Sequence, residues 1–133
     1  MEKEIYIFKM DRQTILIFGN TLVESDSLAV KLIPKLKKTF KDFNFIHVDP
    51  TENLEIYGKD LIIVDVIQNI KEPIIITDIK KLKLPNVNSM HDFDLSYNLK
   101  LLMQVKKINS VKILGLPHNI EENKAIEWIK NNL

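Results

Sequence analysis

Apolar positions along the chain fall into short dense runs separated by polar breaks, and the runs alternate between two periods. Ile15 to Phe18 (ILIF) is an apolar run rich in β-branched residues that stops at Gly19-Asn20. Ala29, Leu32, Ile33, Leu36 and Phe40 then recur at helical spacing. The first reads as a strand over Thr14 to Phe18 and the second as a helix over Ser27 to Thr39. Pro34 lies inside that helix and removes one backbone donor, which predicts a kink or a late start. Glu4 to Lys9 (EIYIFK) has strand composition too and reads as an edge strand. Phe43 to Val48 (FNFIHV) is the next strand, ended by Asp49-Pro50-Thr51. Glu52 to Lys59 reads as one helical turn or a loop, with Gly58 as its stop.

Asp60 to Ile67 (DLIIVDVI) is the most apolar run of all. Near-continuous Leu, Ile and Val marks a strand covered on both faces, as in a central parallel sheet. Glu72 to Thr77 (EPIIIT) follows too soon for a crossover helix, so the two runs are predicted to pair as an antiparallel hairpin. Ser89 with Asp92 three residues on has the capping-box arrangement, and Leu95, Leu99, Leu102 and Met103 give the helix that follows its apolar stripe. Ser110 to Leu116 (SVKILGL) is a further strand closed by Pro117. Asn119, with Glu122 at the third position, is predicted to cap a last helix whose inner face is Ala125, Ile126, Ile129 and Leu133. Strands alternating with helices imply an α/β fold: a three-layer α/β/α sandwich with a mostly parallel mixed sheet and one antiparallel hairpin.

Composition narrows the reading. At 133 residues the chain is one domain, 1–133, with one moderate core. A net charge of +1, with lysines interspersed among acids, gives no electrostatic case for nucleic acid or a membrane surface. Absence of cysteine removes disulfides, thiolate nucleophiles and cysteine-held metal sites together. The first residues lack the apolar core of a secretion signal, and no apolar run approaches the roughly 20 residues of a membrane span. The expectation is a cytoplasmic monomer.

Candidate chemistry gathers where strands end. The loop after Ile15 to Phe18 holds two acids, Glu24 and Asp26, and loops beyond the carboxyl ends of strands hold the ligands of open α/β sheets. The plainer reading of either acid is helix capping. Asp65 sits inside LIIVDVI, where a carboxylate loses hydration unless it is paired or metal-bound. The rival reading ends the strand at Val64 and makes Asp65 a turn cap. His91 falls in the first turn of the Ser89 helix, where the helix dipole favours the neutral, metal-binding imidazole; an exposed or partly packed histidine is the alternative. Two carboxylates and one imidazole form an N/O set suited to a divalent transition metal, with open positions left for water or substrate. His47 reads as a structural strand residue, and His118 as a loop residue near the cleft. No HExxH helix, glycine-rich phosphate loop or GxSxG elbow is present.

GNTLVESDSLAV after ILIF, then DLIIVDVI, SMHDFDLSYNLKLL and VKILGLP, occur in this order and at suitable separations. From about Thr14 to Pro117 the chain resembles the nickel–iron hydrogenase maturation endopeptidases. That resemblance implies an α/β protein that trims the C-terminal extension from a hydrogenase large-subunit precursor. Nickel already inserted in the precursor would be recognised by two acids and one histidine. Carried over by motif position these are Asp26, Asp65 and His91, with Asp26 and Asp65 as the catalytic candidates. Glu24, Asn20 and His118 would stand around the ligands rather than on the metal. The nickel is substrate-borne, and zinc or cadmium could occupy the same donors. Two rival functions are a non-catalytic, nickel-dependent checkpoint and a divalent-metal hydrolase of small substrates.

Overall fold

A computed structural model describes residues 12–19, 22, 27–49, 52–77 and 99–133. Its strands are Gln13–Ile17 (β1), Phe43–His47 (β2), Asp60–Val66 (β3), Ile74–Ile76 (β4) and Ser110–Leu116 (β5). Its helices are Leu28–Lys31 (α1), Ile33–Thr39 (α2) and Glu122–Asn132 (α3), with a 3₁₀ turn at Leu54–Tyr57 and a helical segment at 99–104. The strands form one sheet in the order β2-β1-β3-β5-β4. β1 is parallel to β2 and β3, β3 is parallel to β5, and β4 is antiparallel to β5. The fold is α/β with a mostly parallel mixed sheet, as its alternating pattern implies.

The apolar run of β3 is explained by two cores, one on each face of the sheet. Leu61 and Ile63 join Leu16, Phe18, Val111 and Ile113 under the 3₁₀ residue Leu54 and the helical residues Leu99 and Leu102. Val64 and Val66 join Ile15, Ile17, Leu114 and Leu116 under Ala29, Leu32 and Leu36 of the α1–α2 region and Ala125 and Ile129 of α3. A strand between two such layers has no face on which a polar side chain is cheap. Burying the side chain of a Leu or Ile in either layer is worth about 1.5–3 kcal/mol, so these clusters supply the main cohesive term.

Pro34 does what its chemistry requires. The helix expected over Ser27 to Thr39 is broken at Leu32, and Pro34 stands in the first turn of α2, where a missing amide hydrogen is tolerated. Gly58 closes the 3₁₀ turn with φ 122°, in the region that favours glycine.

Two expectations are corrected. β4 is antiparallel as predicted, but its partner is β5 and not β3, so the expected hairpin is absent. β3 has both edges occupied: β1 pairs along one, and β5 runs beside its whole length from Asp60↔Ser110 to Val66↔Leu116. The short β4, with Ile74 and Ile75 partly exposed, takes the outer edge of β5. The last helix is capped by Glu121, whose side chain accepts from the Lys124 amide at 3.2 Å, and not by Asn119. Ile120 donates its amide to the Pro117 carbonyl, so Asn119 is spent in a turn before the helix begins. The strand expected at Glu4 to Lys9 and the helix start at Ser89 lie outside the described residues.

Candidate functional site at the carboxyl edge of the sheet

Because β2, β1, β3 and β5 are mutually parallel, their carboxyl ends share one edge of the sheet. Open α/β sheets bind ligands at that edge. It is built here from His47, Phe18-Gly19, Asp65-Val66 and Leu116-Pro117.

Asp65 lies within β3, which continues to Val66, so the reading that ended the strand at Val64 fails. Asp65 is 4% exposed, although the ordinary place for an aspartate is in water. The Val66 amide donates to Asp65 Oδ1 at 2.8 Å, which gives the buried carboxyl a fixed partner and fixes its rotation. Hydrogen bonds hold the strand ends on either side. Phe18 donates its amide to the Val64 carbonyl at 2.9 Å, and Ile67 donates to the Leu116 carbonyl at 2.9 Å. The register partner of Asp65 on β5 is Gly115, whose bare Cα leaves room for the Ile67 side chain to lie across it.

On the far side of β1, His47 ends β2, and its Nε2 stands 2.9 Å from the Gly19 carbonyl. His118 is an exposed turn residue after β5. Asp26, Glu24, Asn20 and His91 lie outside the described residues. Of the three expected metal ligands, only Asp65 is therefore placed, and among the described residues no group of three His, Asp or Glu side chains is gathered to hold a metal ion. Sequence reasoning did not anticipate the His47–Gly19 contact or the packing over Gly115. The first had a signal in Pro50, which cannot donate a strand hydrogen bond. The second depends on which strand lies beside β3, and no local pattern carries that.

No family model and no curated protein matches the chain. Solved structures share its fold. One is the hydrogenase maturating endopeptidase HybD from E. coli, at 17% identity and TM-score 0.65, covering 91% of each chain. Another is the hydrogenase 3 maturation protease, at 21% identity and TM-score 0.67, covering 92% of this chain and 90% of that one. A third is an uncharacterized protein from Wolinella succinogenes, at 12% identity and TM-score 0.58, covering 91% of this chain and 96% of that one. Among the described residues no helix is long and apolar enough to cross a membrane. Sequence motifs and fold thus point the same way: the chain has the fold of solved hydrogenase maturation proteases, the family that its motifs resemble.

Proposed function

We propose that the protein is an endopeptidase that removes the C-terminal extension of a nickel–iron hydrogenase large-subunit precursor after nickel insertion. The observation that carries this reading is Asp65: a carboxyl buried at the carboxyl edge of the central strand, in a fold shared with two proteins named as hydrogenase maturation proteases. Burying an acid costs stability even when it is hydrogen-bonded, and buried acids at a cleft or sheet edge are candidates for functional groups.

In this reading Asp65, Asp26 and His91 engage the nickel of the precursor, an N/O donor set matched to a divalent transition metal. The metal is part of the substrate and serves as its recognition handle. Holding it sets the scissile peptide against the sheet edge, so recognition becomes proximity. Water is the nucleophile. Asp26 or Asp65 takes its proton as it adds to the peptide carbonyl, and returns a proton to the departing amine as the C–N bond breaks. Without precursor, zinc or cadmium would compete for the same donors. The protein acts as a monomer on the precursor.

The test is to incubate purified protein with nickel-loaded precursor and weigh the products. Loss of the C-terminal extension, dependent on nickel, supports the proposal. A nickel-dependent complex with no change in mass would make the protein a checkpoint, and cleavage of small substrates by a tightly metal-bound protein would make it a hydrolase of another kind.

A further inference from the structure

We infer that His47 is a positioning residue, which substitutes its imidazole for a missing rung of the β1–β2 ladder and so fixes the point where the chain leaves the sheet toward Asp26. The inference rests on the function proposed above for its consequence in catalysis, and on geometry alone for the clasp itself.

β1 and β2 are parallel with Ile17 opposite His47, and the Val48 amide donates to the Ile17 carbonyl at 3.0 Å. The next rung of a parallel ladder falls two residues on in each strand. It would join the amide of residue 50 to the carbonyl of Gly19, and residue 50 is proline, which has no amide hydrogen. That carbonyl belongs to a buried residue, where an unmet acceptor is costly. His47 Nε2 meets it at 2.9 Å. A carbonyl oxygen can only accept, so Nε2 carries the proton and donates.

The consequence is a chain exit tied on both sides. Phe18 is held to β3 through the Val64 carbonyl, one residue before Asp65, and Gly19 is held to the last side chain of β2. Asp26 follows in the same connection. His47 shares a register row with Ile17, and Ile17 with Val64, whereas Asp65 is the next residue along β3 and faces the opposite side of the sheet. The imidazole therefore acts through the β1 backbone and not on the reacting atoms.

The experiment compares wild type with His47→Ala, His47→Gln and His47→Asn. The Gln side chain carries a donor at the reach of imidazole Nε2, whereas Asn stops one bond short. On nickel-loaded precursor, His47→Ala and His47→Asn should lower kcat/KM on the order of ten- to a hundredfold, the effect of a misplaced site. His47→Gln should recover to within a few-fold of wild type. Nitrogen-15 NMR of the wild type should show His47 protonated on Nε2. The Phe18 and Gly19 amide resonances should move in His47→Ala and return in His47→Gln. Full activity of His47→Ala, or no recovery in His47→Gln, overturns the positioning role. Unmoved Phe18 and Gly19 resonances overturn the clasp whatever the activity. If the resonances respond as expected while no precursor is cleaved by wild type, the clasp stands and the proposed activity falls.

Discussion

Asp65 and Gly115 are register partners across β3 and β5, and the space above the glycine is filled by Ile67, the residue that follows the strand carrying the acid. A Cβ on Gly115 would clash with Ile67 Cδ1 and stand 3.1 Å from Ile67 Cγ1 and 3.3 Å from Ile74 Cγ1. Ile67 is two residues beyond Asp65 and shares its face of the sheet. Glycine is thus required by packing, because Ile67 lies across a Cα that has no side chain. Gly115→Ala should push Ile67 aside. Since Ile67 is half-buried and can turn toward solvent, the cost should be about 1 kcal/mol, at the low end of overpacking effects. Urea unfolding measures it, and Gly115→Val should cost more than Gly115→Ala.

The helical segment at 99–104 ends with a non-glycine residue in a left-handed conformation, Lys106 at φ 61°. Lys106 donates its amide to the Met103 carbonyl and Lys107 donates to that of Leu102, the bonding pattern that glycine usually closes. Lys106 is exposed, so its side chain is dispensable to the core. Lys106→Gly should stabilise the protein by about 1 kcal/mol, the penalty of left-handed backbone at an L-residue. A rise in the urea midpoint at unchanged slope is the expected result.

At the start of α3 the two candidate caps separate cleanly. Glu121→Ala removes the acceptor for the Lys124 amide and should cost about 1 kcal/mol. Asn119→Ala should change stability by less than about half that, as surface substitutions away from such features do. Equal effects at the two positions would restore Asn119 as the cap.

Much of the architecture was legible in residue order because local patterns carry it. The near-continuous Leu, Ile and Val of β3 implied two covering layers, Pro34 implied the interruption at Leu32, and Gly58 implied the stop after Tyr57; all three are present. The partner of β4 was not legible. Proximity in sequence favours β3, but β5, arriving much later in the chain, occupies that edge of β3 along all seven of its residues. The cap of α3 was missed because Asn119 and Glu121 both precede the helix, and the Pro117–Ile120 turn decides between them. At the site, the burial of Asp65 followed from its apolar neighbours in sequence. The His47 contact did not, since it depends on the register that sets His47 beside the end of β1.

Tyr57 packs against the core cluster beneath β3, and burial first, then the nearby Glu52 carboxylate, raises its pKa above the ordinary 10.0. The folded protein therefore keeps this proton to higher pH than the unfolded chain does. Its contribution is fully present below pH 10 and is lost as pH climbs through the raised value. Wild type should lose more stability than Tyr57→Phe over that alkaline window, and the two should run parallel at neutral pH. Thermal melts at matched pH values give the comparison.

Asp65→Asn is the sharpest probe of the buried acid, because it replaces the carboxyl with an amide that cannot take a proton while leaving an oxygen to accept from the Val66 amide. Nickel-loaded large-subunit precursor is incubated with wild type and with Asp65→Asn, and the products are weighed. Wild type should release the C-terminal extension, while Asp65→Asn should unfold within about 1 kcal/mol of wild type and release none. Cleavage by Asp65→Asn at the wild-type rate would remove Asp65 from the proposed chemistry.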